Sequence, residues 1–146
     1  ACHVSEVEIE PETGVVRILR YVAVDDVGTV MNPLLLEGQL HGGIVHGIGH
    51  VLGEQVLWDE AGQVLTGSFM DYTMPRADDV PFFELETNPV PSPTNPLGIK
   101  GAGEAGTVGA VACVANAILD ALAPLGIRQL PLPATPERIW RAIRDL

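Results

Sequence analysis

Glu104 stands inside Gly101-Ala-Gly-Glu-Ala-Gly106, directly after Lys100, the only lysine in 146 residues. The loop satisfies G-x-G-x-x-G and opens an alanine- and valine-rich segment. Free peptide N–H groups at a helix start attract phosphate or carboxylate, and glycines let such a ligand come close. Lys100 would add an ammonium. A glutamate placed there has two open readings: a favourable partner of the helix dipole, or a general base held against a ligand. The context disfavours a Rossmann dinucleotide site. Asn88-Pro-Val-Pro-Ser-Pro-Thr-Asn-Pro96 precedes the loop as a proline-rich connector instead of a buried strand, and Asp120, the acid at the required distance, falls inside the following helix.

His41, His46 and His50 share a second glycine-rich stretch. His46 and His50 are spaced i,i+4, a separation that can hold zinc as in a zinc hydrolase, but no third ligand is evident. The alternative is a set of partly buried, hydrogen-bonded histidines. His3 belongs to a strand and reads as structural. Asp25-Asp26 could bind a divalent ion, yet two acids at a strand end are more simply solvated. No G-x-S-x-G is present, so a serine hydrolase is unsupported.

These groups must be positioned by the elements between them. Val4 to Glu10 and Val15 to Val24 read as strands joined by the Pro11-Glu-Thr-Gly14 turn. Such a start in mid-element leads us to expect a fragment, or a subunit completed by another chain. Asn32-Pro33 is a helix-start signal for the apolar run from Leu34 to about Leu57. That run holds six glycines, Gly38, Gly42, Gly43, Gly47, Gly49 and Gly53. In a helix interior they would cost about 5 kcal/mol relative to alanine. The sequence therefore predicts a closely packed neighbouring backbone, a ligand that needs bare peptide groups, or a broken helix. Short strands are expected near Val56 and Val64, and another from Phe82 to Thr87. A helix from Glu104 or Ala105 to Ala123 follows, stopped by Pro124. Thr135-Pro136 opens a last helix whose Ile139, Trp140, Ile143 and Leu146 face inward, with Arg138, Arg141 and Arg144 solvated. The order β-β-α-β-β-β-α-α predicts one α+β domain over residues 1–146, a mixed sheet with helices packed on one face.

Nineteen acidic residues against eight basic give a net charge of −11. That balance excludes a basic nucleic-acid-binding face and disfavours anionic membranes. No uninterrupted apolar run of ~18 residues is evident, so no membrane span is expected. Cys2 and Cys113 lie far apart, outside any C-x-x-C, which fits a reduced, cytoplasmic chain.

Taken together, the motifs resemble the C-terminal part of the large, molybdopterin-binding subunit of the xanthine dehydrogenase/aldehyde oxidase/carbon monoxide dehydrogenase family, and especially its bacterial carbon monoxide dehydrogenase-like branch. The matching pieces are His3-Val-Ser-Glu-Val-Glu, Tyr21-Val-Ala-Val-Asp-Asp-Val-Gly, Asn32-Pro33, Glu37-Gly-Gln-Leu-His-Gly-Gly43, Gly47-Ile-Gly49, Met70-Asp-Tyr72 and Gly98-Ile-Lys-Gly-Ala-Gly-Glu104. They occur in the family's order and cover nearly the whole chain.

The resemblance implies that Glu104 is the family's catalytic glutamate, which takes a proton from a molybdenum-bound hydroxide during hydroxylation of an aldehyde, an N-heterocycle or carbon monoxide. Water is the oxygen source. Lys100, Gly101, Ala102 and Gly103 match the loop against the cofactor. Gly42, Gly43, His46 and Gly47 match a second contact, although many members carry glutamine where this chain has His46. The implied cofactor is molybdopterin cytosine dinucleotide with molybdenum, with iron–sulfur clusters and FAD on other domains or chains. The implied partners are the N-terminal half of the molybdenum subunit and the iron–sulfur and flavin subunits. The isolated chain is expected to be inactive. The rival readings are a non-catalytic interaction domain that kept the fold and the zinc hydrolase using His46 and His50.

Overall fold

The computed structural model describes all of residues 1–146. Strands β1 (Cys2–Ile9) and β2 (Val16–Asp25) form the expected antiparallel hairpin. In β1, alternate residues turn inward, from His3 through Ser5 and Val7 to Ile9. The pairing slips once, where Glu6 faces Arg20 and Val7 faces Ile18. This bulge leaves both Leu19 and Arg20 facing solvent and shifts the inward phase, so that Ile18, Tyr21, Ala23 and Asp25 are buried.

Helix α1 (Pro33–Leu52) is unbroken. The Asn32 side chain accepts from the Leu35 N–H at 3.1 Å and Pro33 fills the first turn, as the sequence signal requires. Strand β3 (Glu84–Thr87) adds parallel to β2, completing the mixed sheet in the order β1-β2-β3. A parallel neighbour needs a crossover, here α1 followed by the largely irregular segment 53–83. The two strands expected near Val56 and Val64 are not formed. Trp58 and Val64 make only an isolated antiparallel bridge, flanked by the Leu65 N–H to Leu57 carbonyl bond.

Helix α2 (Ala105–Leu122) ends in a single 3-10 turn, Ala123–Leu125, and α3 (Pro136–Arg144) is capped by Thr135. Ile44, Ile48 and Val51 of α1, Val114, Ile118 and Leu122 of α2, and Ile139 of α3 close over Ile18, Tyr21 and Ala23 of the sheet. Three expectations for α3 need correction. Leu146 is largely exposed instead of facing inward. Arg138 is half-buried instead of solvated, and its guanidinium donates to the Pro133 carbonyl oxygen at 2.7 Å and to Gln55. Trp140 is partly exposed beneath the Arg144 guanidinium, 5.6 Å from its ring centre.

The expectation about membrane spans also needs correction. Residues Ala105–Leu125 are long and apolar enough to cross a bilayer by length and composition. In this fold α2 turns one face to the core and leaves the rest of its surface open. Its buried residues Gly106, Ala110, Val114, Ile118 and Leu122 recur every four positions on one face.

Helices α1 and α2 run parallel, in very close contact. Gly43 and Gly47 meet Gly106 and Ala110, and added β-carbons at Gly47 and Gly106 would lie 2.7 Å from Ala110 Cβ and from the Leu40 carbonyl oxygen respectively. Thr107 Oγ1 donates to the Gly43 carbonyl oxygen at 3.0 Å. Contacts advance together along both helices, with Gln39 at Gly103 and Gly43 at Thr107, each pair 64 positions apart. The strands follow nearly the same offset: Val22 faces Glu84.

Candidate functional site

The chain from β3 to Glu104 is fastened to the end of β2 by Asp26. One carboxylate oxygen accepts the Gly28 and Val90 N–H groups, each at 3.0 Å. The other is paired with the Lys100 ammonium. Lys100 first, then these two N–H groups, hold the Asp26 carboxyl well below the usual carboxylate range. Gly98 and Gly28 lie back to back: a β-carbon at Gly28 would sit 2.2 Å from the Gly98 carbonyl oxygen. Both have positive φ, at +65° and +66°, where a side chain would be strained. The Gly98 carbonyl accepts the Thr29 and Ser92 N–H groups, and the Lys100 N–H donates to Val27. The expectation of a solvated Asp25-Asp26 pair is therefore overturned. Successive residues of a strand point to opposite sides, so Asp25 is buried while Asp26 clasps the connector. Nor is the Lys100 ammonium free for a phosphate, since Asp26 holds it.

Beyond Lys100, the Gln39 side chain of α1 donates to the Gly103 carbonyl oxygen at 2.6 Å. Glu104 is the N-cap residue of α2, exposed, with no side-chain capping hydrogen bond. Its carbonyl oxygen accepts the Val108 N–H at 3.0 Å, while the N–H groups of Gly106 and Thr107 have no acceptor. An open hollow of about 640 Å³ borders this end, lined by Ala1, Gly101, Gly103, Glu104, Ala105, Val108 and Gly109. Added β-carbons at Gly101 and Gly103 would meet nothing within 4 Å. The geometry is that of an anion-accepting helix start beside a carboxylate free of partners.

The glycines of α1 divide by face. Gly43 and Gly47 are buried against α2, and Gly49 lies under the Glu54 side chain and Pro75. Gly43 and Gly47 answer the sequence's first alternative, a closely packed neighbouring backbone, whereas Gly49 meets only side chains. Gly38 and Gly42 face open space. The helix is continuous, so interior N–H groups are spent on its own ladder. Of the four α1 residues expected at a cofactor, Gly42 and His46 offer an open surface, and Gly43 and Gly47 do not.

His46 and His50 are both exposed, their rings 4.5 Å apart edge to face. Neither is buried, contrary to the second expectation. No third His, Cys, Asp or Glu joins them in a group suited to a metal, so the zinc reading lacks its ligand set. His41 Nδ1 donates to the Glu37 carbonyl oxygen at 2.8 Å, and its ring lies over Phe83.

Sequence reasoning missed Gln39 and the role of Asp26. Gln39 carried a signal, since it precedes Gly42 by one helical turn. A second cavity, of about 550 Å³, opens at the far end of α1 between Ile18, Leu52, Glu54 and Val80. It shares no residue with the hollow at Glu104.

The family model described as the molybdopterin cofactor-binding domain matches residues 1–81. The chain is 44% identical over 144 residues to the nicotine 6-hydroxylase large subunit of Paenarthrobacter nicotinovorans, covering 99% of this chain and 18% of the relative. It is 40% identical to the carbon monoxide dehydrogenase large chain of Afipia carboxidovorans, covering 95% of this chain and 17% of that one. Quinoline 2-oxidoreductase from Pseudomonas putida 86 superposes with a TM-score of 0.93 at 43% identity, over 98% of this chain and 18% of that structure. The chain thus spans less than a fifth of the length of these relatives. With its glycine-lined helix start and this match over more than half its length, the chain belongs to the molybdopterin cofactor-binding domain family.

Proposed function

We propose that this chain is the portion of a molybdenum hydroxylase large subunit that bears the proton-accepting glutamate, Glu104. The observation that carries the reading is the Glu104 carboxylate. It borders an open hollow at the start of α2 and has neither a capping hydrogen bond nor an ion pair. Its exposure and lack of a partner leave it able to take a proton from a reacting group.

The residues fit the implied cofactor. Open space over Gly101 and Gly103 leaves a cradle that β-carbons would fill. The positive end of α2, which opens on the hollow at Glu104 and Ala105, suits an anionic group of the cofactor. Gly42 and His46 offer a second contact surface, with the His46 ring as a hydrogen-bond donor. Gln39 fixes the Gly103 peptide, and Asp26 with Lys100 holds the loop's entry. When bound, the molybdenum cofactor supplies the two-electron redox centre for hydroxylation with water as the oxygen source. Glu104 supplies the base.

The full reading extends to the dinucleotide form with cytosine, iron–sulfur clusters and FAD on other domains or chains, and the N-terminal half of the molybdenum subunit as partner. We take residues 1–146 as one domain of that assembly, inactive in isolation. The substrate is an aldehyde, an N-heterocycle or carbon monoxide; the nicotine, quinoline and carbon monoxide enzymes among the relatives support the last two classes. A cytoplasmic location fits the two free cysteines.

Glu104→Gln in the assembled enzyme tests the reading. Turnover is expected to vanish while molybdenum is retained. Loss of the metal would make Glu104 a structural residue, and retained turnover would remove it from the chemistry.

A further inference from the structure

The only buried charged residue of the chain, Asp25, faces His3. The His3 side chain is 1% exposed, and its Nε2 lies 3.4 Å from the Asp25 carboxylate. Nδ1 lies 2.7 Å from the Tyr21 hydroxyl. Tyr21 O–H donating to Nδ1 leaves the Nε2 proton facing Asp25, so both ring nitrogens are served. Burial, followed by the neighbouring Cys113, pushes the Tyr21 hydroxyl far above its ordinary range, which keeps it a donor.

This polar cluster presses on α2 at one point. A β-carbon at Gly109 would lie 2.3 to 2.6 Å from three atoms of the His3 ring. The ring therefore rests on bare helix backbone, with no side chain between. On the α1 side, a β-carbon at Gly106 would lie 2.7 Å from the Leu40 carbonyl oxygen, and one at Gly47 2.7 Å from Ala110 Cβ. The first turns of α2 are thus gripped between β1 and α1. Both Gly109 and Glu104 line the hollow. A buried ionisable pair is weak as a source of stability, because desolvation offsets its attraction. An apolar side chain would fill the space at lower cost. What His3 adds is a fixed orientation, tied at both nitrogens.

We infer that His3, locked by Asp25 and Tyr21 against Gly109, is a positioning residue that sets the roll and advance of α2 and thereby aims Glu104 into the hollow. The inference rests on the reading of Glu104 as the base. Its test uses the assembled, cofactor-loaded enzyme, with hydrogen exchange at the Val108 amide, which donates to the Glu104 carbonyl oxygen, as a readout separate from turnover. His3→Ala should speed that exchange about tenfold while α3 amides keep their protection. It should lower kcat about tenfold with KM changed less than about twofold and molybdenum content unchanged. Gly109→Ala should also speed the exchange, and His3→Ala with Gly109→Ala should be slower than either, because the new methyl occupies the space the ring left. Asp25→Asn, which keeps the side-chain shape, should give a smaller change in the same direction.

Unchanged Val108 exchange in both His3→Ala and Asp25→Asn would overturn the inference, as would an equal rise in α3 or additive effects of the paired substitutions. Glu104→Gln run alongside separates the two readings. Retained turnover there defeats the base reading, whereas the exchange data decide the positioning of α2.

Discussion

Gln39 Nε2 donates to the Gly103 carbonyl oxygen at 2.6 Å, joining the middle of one helix to the residue before the cap of another. The bond turns the Gly103 peptide so that its oxygen points back to α1. Gln39→Ala should cost about 1 kcal/mol in chemical denaturation, the net worth of one such bond. Gln39→Glu places an acceptor against the same oxygen and should cost more. Equal stabilities of wild type and both variants would show that the bond does not hold in solution.

The glycines of α1 should separate into two classes under alanine substitution. Gly47→Ala forces a methyl into Ala110 and the Thr107 carbonyl oxygen, and should destabilise by about 1–3 kcal/mol. Gly42→Ala meets no atom within 4 Å. In the chain alone it should stabilise by about 0.5–1 kcal/mol through helix propensity, yet weaken cofactor retention in the assembled enzyme. Thermal melts and metal analysis on the same two variants check both statements.

Acid should loosen the connector through Asp26. Its folded-state affinity for protons is depressed, mainly by Lys100. A depressed carboxyl contributes stability above its unfolded value, about 3.9, and that contribution is lost as pH falls through the lower folded value. Melting temperatures followed from neutral pH downward should fall below about pH 4 in the wild type. Asp26→Asn should melt lower already at neutral pH and show a shallower acid limb. Superimposable profiles would contradict the clasp.

Phe69, Met70 and Phe82 are 83%, 95% and 99% exposed. Large apolar groups left in water promote association. The isolated chain should therefore self-associate in light scattering and bind a hydrophobic dye, and serine at all three positions should reduce both. A dye-negative, monodisperse wild type would argue against this expectation.

Local signals were legible in the sequence. Asn32-Pro33 and Thr135-Pro136 fix helix starts within a residue because capping needs only neighbours, and the Glu104 loop stood out by composition. Relationships across the fold were not. Asp26 and Lys100 are 74 positions apart, and nothing in Asp-Asp reveals which carboxylate turns inward until the pleat of β2 is set by the bulge. Likewise Gly42 and Gly43 are identical letters. Only the second faces a partner helix. The strands expected at Val56 and Val64 pair only with each other, at the single Trp58–Val64 bridge, because β-branched residues announce a strand but not how far its ladder extends.

The near-constant offset between the two strand-to-helix arms also bears on which length changes this fold can absorb. The irregular excursion after α1 enters neither the helix–helix nor the Asp26 contacts, so residues added within 54–71 would lengthen a surface loop and leave the Glu104 region in place. One residue inserted between Asp26 and Pro33, or between Val90 and Gly103, would instead displace one arm against the other. Gly47 would then lose its place opposite Ala110. Length variation among homologous sequences should therefore gather in the excursion and be absent from the two links.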